Sequence, residues 1–168
     1  MVAWKIETLP KIKVFMWTLL KGKILTVDNL KKKRYEGPSR CAMYHGNEEN
    51  IQHLFTECPF VRDCWKGLVS PLEVNIQHLL PYHELLSTRG KRYPYSLKNK
   101  ETVKRHWLSL PSFMCWQIWI ARNKRIFKYC TPNTKTVLAK TWSMSFEFLN
   151  SKGVKAIDVQ QLQHEEKV

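Results

Sequence analysis

Residues 41–65 read CAMYHGNEENIQHLFTECPFVRDCW. Cysteine and histidine recur here at short intervals, as Cys41, His45, His53 and Cys58. From Cys41 to Asn50 there is no hydrophobic periodicity, so this part reads as a loop. Asn50 suits the N-cap of a turn carrying Ile51, His53 and Leu54, because its side-chain oxygen can accept from a backbone N–H just ahead. Pro59 opens a helix on which Phe60, Val61, Cys64, Trp65 and Leu68 form one apolar stripe. A loop and a helical turn thus carry soft and borderline donors at the spacing of a zinc site, where one knuckle supplies two ligands and a helix two more. Closing such a site ties together segments that bury little surface alone, so metal binding would be part of folding.

Outward from this stretch the pattern is helical. Pro10 suits a first helical turn, and Ile12, Phe15, Met16, Leu19 and Leu20 share one face up to a stop at Gly22. Thr26 caps a short second helix through Leu30, which runs into Lys31, Lys32, Lys33 and Arg34 before Gly37 and Pro38 break the chain. A weaker helix is expected over Val74 to Leu86, then a polar, basic linker from Ser87 to Lys100. A long, kinked helix follows from about Glu101 to Lys128, with Val103, Trp107, Met114, Ile118 and Ile126 toward a core. Pro132 starts a last helix, with Val137, Leu138, Trp142, Phe148 and Leu149 inward, and the tail after Gly153 is polar. No segment alternates with period two over strand length. The expected class is all-α: a small helical zinc-knuckle domain (4–70), a helix and basic linker (71–100), a helical extension (101–150) and a frayed tail (151–168).

Charge points to the partner. The 168 residues hold 28 Lys and Arg against 14 Asp and Glu, a net +14. Self-repulsion on that scale suits a polyanion, bound through release of phosphate counterions. One basic group is Lys11, Lys13, Lys21, Lys23 and Lys31 to Arg34. A second is Arg89, Lys91, Arg92, Lys98, Lys100, Lys104 and Arg105, continued by Arg122, Lys124, Arg125 and Lys128. Any single lysine is better explained as a solvated surface residue. Lys31 to Arg34 together favour phosphate contact or a nuclear-import signal. Tyr44, Tyr93 or Tyr95 could stack on unpaired bases. Trp17, Trp65, Trp107 and Trp119 read as core. Lysines 5, 11 and 13 interrupt every apolar run near the start, and Trp107 to Ile120 is too short to span a membrane and contains Pro111. An intracellular protein is expected, with no membrane or small-molecule partner, and with its five cysteines as thiols or metal ligands rather than disulfides. There is no Gly-rich phosphate loop, nucleophile elbow or paired polymerase aspartates, so no enzyme is expected.

Several ordered blocks resemble a known family. Trp4, then Leu9-Pro10-Lys11-Ile12-Lys13-Val14-Phe15-Met16-Trp17, then Thr26-Val27-Asp28-Asn29-Leu30 with the basic run, then Cys41, His53-Leu54-Phe55, Cys58-Pro59-Phe60 and Trp65 are similar to the reverse transcriptase zinc-binding domain of plant LINE-type non-LTR retrotransposons. Trp116-Gln117-Ile118-Trp119 and Arg122-Asn123-Lys124-Arg125-Ile126-Phe127 resemble the segment that often trails it. The resemblance implies an accessory module that holds RNA or single-stranded DNA near a polymerase, with zinc as its cofactor. One position departs from the family pattern: Tyr44 stands where the family has its second cysteine. A phenol competes poorly with a thiolate for zinc at neutral pH. His45, one residue later, would complete a set of Cys41, His45, His53 and Cys58. The alternative is a structural or protein-interaction remnant that binds no zinc.

Overall fold

The computed structural model describes residues 6–70 and 101–153, with side chains from Arg105 onward in the second stretch. The helix expected over 74–86, the basic linker and the tail beyond Gly153 lie outside the described residues.

Helix α1 spans Pro10–Leu20 with proline in its first turn and buries Ile12, Phe15, Met16 and Leu19. It ends where the pattern said it should. Gly22 takes a left-handed φ of 67°, its N–H donates to the Leu19 carbonyl, and the Lys23 N–H donates to that of Thr18, both at 2.9 Å. These two bonds satisfy carbonyls that the helix end would otherwise orphan.

Helix α2, Val27–Lys31, follows with Thr26 at its N-cap. The expected cap chemistry is different, however. The Thr26 hydroxyl donates to Asp28, and the free amides of the first turn find Glu49 instead. Val27 N–H donates to the Glu49 carboxylate at 3.1 Å, and Asp28 N–H donates to its main-chain carbonyl at 3.3 Å. A loop residue therefore caps this helix from outside, placing negative charge at the positive end of its dipole.

Helix α3, Pro59–Val69, buries Val61, Cys64, Trp65, Leu68 and Val69. The Trp65 indole N–H reaches the Phe55 carbonyl at 2.8 Å. Helix α4, Glu101–Lys128, runs through Pro111. Proline removes one N–H and crowds the carbonyl a turn earlier; nearby serine hydroxyls, Ser109 to His106 O at 3.2 Å and Ser112 to Ser109 O at 2.7 Å, take up carbonyls of this stretch. Met114 and Ile118 are fully buried, whereas Trp107 and Ile126 are only half-buried. Helix α5, Thr134–Ser151, begins two residues later than the proline suggested. Asn133 is its N-cap and accepts from the Thr136 N–H at 3.0 Å, a bond Pro132 has no side-chain acceptor to make.

Among the described residues there is no strand, only an antiparallel bridge between Arg40 and Glu48. The fold is all-α. One hydrophobic core joins Ile12, Met16 and Leu19 of α1, Leu54 and Phe55, Trp65 of α3, Phe113 and Ile118 of α4, and Leu149 of α5. Phe15 meets Trp116 edge-on, with ring centroids 5.2 Å apart. The helical extension thus completes the core of the cysteine-bearing segment. No helix among the described residues is long and apolar enough to cross a membrane.

Candidate metal centre

Cys41, His53 and Cys58 are all buried, and their donor atoms lie within 4.8 Å of one another. The two sulfurs are 3.9 Å apart. Tetrahedral zinc with bonds of about 2.3 Å would hold two thiolates about 3.8 Å apart, so the sulfurs already stand at the spacing of a shared ion. The imidazole makes the stronger case. His53 is only 2% exposed, yet neither ring nitrogen has a hydrogen-bond partner. A buried unpaired polar atom costs roughly 1–3 kcal/mol, and native folds rarely leave one without a reason. Two thiols and an orphaned imidazole converging on one point suit a zinc ion.

Local structure places each donor. Cys41 begins a tight turn: its N–H donates to the Asn47 carbonyl and its carbonyl accepts from His45 N–H, both at 2.8 Å. The Met43 and Tyr44 N–H groups point at its sulfur. Cys58 is the N-cap of α3, and the Phe60 and Val61 N–H groups point at its sulfur. Both sulfurs thus sit in backbone cradles that favour a thiolate. The Cys41 thiol, which donates to Cys58, is pushed up by that bond and by burial. Cys58, which accepts, is lowered to about 7 by the same bond, against its burial and with help from the α3 amides. The pair therefore parts with a first proton near neutrality, supplying the anionic sulfur that a metal needs.

His53 is held by the expected cap, its N–H donating to the Asn50 side-chain oxygen at 2.8 Å. It also opens a single wide turn of π-helix, His53–Glu57, closed by Cys58 N–H on the His53 carbonyl at 2.8 Å. In an α-helix, residues five apart point about 140° away from each other around the axis. The wider π turn brings them toward one side, so His53 and Cys58 face the same point. Such turns concentrate at functional sites.

His45 lies outside this group. Its backbone is left-handed, with φ 45°, and its side chain is exposed. Tyr44 is exposed too, at 56%. The turn that aims two amides at Cys41 carries both side chains to the surface, and three protein donors remain together.

A pairing that the sequence did not reveal holds this loop in place. Glu49, between the first two donors, is 1% exposed. Its carboxylate takes Arg122 in a two-pronged ion pair, Nη2 to Oε1 at 2.5 Å and Nε to Oε2 at 3.1 Å. Arg122 also lies 4.9 Å from the centre of the Trp119 ring and is 3% exposed. Arg122 is therefore no phosphate ligand, a correction to its placement in the second basic group. It is the clamp between the loop and α4. Seventy-three residues separate the partners, a distance at which a single sequence carries no pairing signal.

The remaining candidates divide. Lys31, Lys32, Lys33 and Arg34 are all exposed, with Lys31 in a loose pair with Glu48 at 3.6 Å and Lys32 donating to Asn29 at 2.9 Å. Lys11 is exposed and its ammonium stands 6.0 Å from the centre of the Trp116 ring, while Lys13 is half-buried. Tyr93 and Tyr95 lie outside the described residues. Cys64 and Cys115 are fully buried, Cys130 is exposed, and no cysteine is in a disulfide.

Residues 1–65 match the family model described as zinc-binding in reverse transcriptase. No curated protein and no solved structure matches the chain. The matched span contains every element that carries a donor, α1 that packs beneath them, and the cysteine that caps α3. Over its first 65 residues the chain is similar to the zinc-binding domains of reverse transcriptases.

Proposed function

We propose that the chain is a non-catalytic, zinc-dependent nucleic-acid-binding module of retrotransposon origin. The observation that carries the zinc is the buried, doubly unpartnered imidazole of His53 beside two thiols 3.9 Å apart. Zinc would neutralise the thiolates, pair the imidazole and lock the loop from Cys41 to Cys58. The buried donors tie the loop at Cys41 to the start of α3 at Cys58, which suits an ion that holds structure. The locked loop in turn supports the basic surface. Glu49 caps α2 through Val27 and Asp28, and α2 leads directly into the exposed run Lys31 to Arg34. That run, with Lys11 and Lys13, would hold phosphates with little sequence readout.

Native mass spectrometry of the whole chain, with and without chelator, tests the metal; anisotropy titration of a labelled oligouridine over a salt series tests the partner. One zinc per chain is expected, lost in Cys58→Ser and His53→Ala. His45→Ala decides the fourth position, with loss of zinc assigning it to His45 and retention leaving it to water or another group. Replacing Lys31 to Arg34 by alanine should flatten the logarithmic salt slope by about 2–4. A wild-type slope near zero would remove the nucleic-acid reading, and zinc-free protein with an unchanged melting curve would remove the metal.

A further inference from the structure

Beyond the family-matched span, the chain carries a second concentration of charge. From Thr102 to Phe146 there is no Asp or Glu, while Lys124, Arg125, Lys128, Lys135 and Lys140 fall around the junction of α4 and α5. Arg122, their neighbour, is already neutralised by Glu49; these five have no carboxylate partner among the described residues. Lys124, Lys128, Lys135 and Lys140 are exposed. In the same corner stand the two most exposed large apolar side chains of the described residues, Phe127 at 73% and Tyr129 at 84%.

The junction is shaped, not frayed. Tyr129 ends α4 in a left-handed conformation with φ 53°, a place that usually falls to glycine. Cys130 N–H closes the turn on the Lys124 carbonyl at 3.3 Å. An open cleft of about 200 Å³ lies beside it, its floor formed by Ile120, Ala121, Pro132 and Val137 and its polar walls by Lys124, Lys140 and Asn133. An apolar floor beneath two ammonium groups suits the flat face of a base with its phosphate alongside.

We infer that the α4–α5 junction is a contact site for unpaired nucleotides, in which Phe127 and Tyr129 stack on bases while Lys124 and Lys140 hold the adjoining phosphates. Stacking on exposed rings needs bases free of their partners, so the site selects single strands over duplex. The inference shares with the proposed function only its class of partner; neither zinc nor Lys31 to Arg34 takes part.

The test uses the full, zinc-loaded chain and three probes: a labelled oligouridine, an oligothymidine of equal length, and an RNA duplex. Phe127→Ala with Tyr129→Ala should weaken both single strands by about tenfold or more for each stacked base. Duplex affinity and the salt slope should stay the same. Lys124→Ala with Lys140→Ala should instead lower the slope by about 2. All four side chains are exposed, so circular dichroism should show unchanged helicity, and a variant that unfolds would contradict the exposure on which the site rests. If the aromatic variant holds single strands as tightly as wild type while replacing Lys31 to Arg34 abolishes binding, the junction is not a nucleotide site and the proposed function stands. If wild type binds no oligonucleotide, both fall. If the aromatic variant loses duplex as steeply as it loses single strands, the rings do not read unpaired bases and the inference is overturned.

Discussion

Two buried histidines set the metal loop against the helical extension. His53 is surrounded by thiols and has no partner for either ring nitrogen. His106, on α4, is 1% exposed and bonds Ser145 of α5 through Nδ1 at 2.9 Å, with Ser109 adding a contact to Ser145 at 3.2 Å. Aromatic rings flank it, Phe146 with its centroid at 4.8 Å and Trp142 at 6.1 Å. The extension thus satisfies its imidazole from within, apart from Nε2, while the loop leaves its imidazole for something added. One environment is largely completed by packing, and the other leaves both ring nitrogens open to the proposed ion.

The largest effect expected bears on whether these regions are one unit. Arg122→Ala leaves the Glu49 carboxylate buried without its cation and strips a prong from the network that caps α2. Breaking a buried pair on one side costs about 3–5 kcal/mol, and urea denaturation should show it. The double variant Glu49→Gln with Arg122→Met removes both charges and should recover a good part of the loss. Zinc affinity should fall in Arg122→Ala although the residue lies 64 positions beyond the last donor, Cys58. A loss of helical stability with zinc affinity untouched would separate the two regions after all.

The second prediction concerns pH. Burial lowers the pKa of His106 to about 4 from the usual 6.5. Between those values the unfolded chain takes up a proton that the folded chain refuses, so stability falls as the pH drops through about 6.5 to 4 and is fully present above it. The contribution is on the order of 3 kcal/mol at the acid end. His106→Asn keeps a polar group toward Ser145 and removes the titration. Comparing the two proteins under chelation cancels the metal's own pH dependence, and equal slopes over this window would sink the assignment.

How much of this was legible depends on range. The end of α1 at Gly22, the cap at Asn50 and the opening of α3 at Pro59 are local. Each follows from one residue's backbone or side-chain chemistry, and the structure realises them as read. The convergence of Cys41, His53 and Cys58 was visible as spacing, but spacing alone also admitted His45. What set it apart was the direction of a turn: with the Met43 and Tyr44 amides aimed at the Cys41 sulfur, the Tyr44 and His45 side chains face outward. The π turn from His53 to Glu57 was read simply as helix, since composition does not distinguish its wider hydrogen bonding. Glu49 with Arg122, and His106 with Ser145, are tertiary pairs across 73 and 39 residues. Their partners look like ordinary surface chemistry until the fold buries them.

The smallest effect gives the sharpest version of the comparison, because each region contains an asparagine doing the same local work. Asn50 accepts from His53 N–H at 2.8 Å, and Asn133 from Thr136 N–H at 3.0 Å. As caps the two are chemically alike, and alanine at either should cost about 1 kcal/mol. Their consequences should differ. The amide that Asn50 holds belongs to His53 of the candidate metal centre, so releasing it lets the imidazole wander from the sulfurs. Asn50→Ala should therefore weaken zinc binding by about tenfold, the scale seen when groups that orient metal ligands are lost. Asn133→Ala should leave zinc binding as it is. Competition with a zinc-sensitive chelator dye measures both, and thermal melting under excess chelator should return the two variants to equal losses. If Asn133→Ala weakened zinc as much as Asn50→Ala, the caps would be acting through overall stability, and the loop would have no special hold on its histidine.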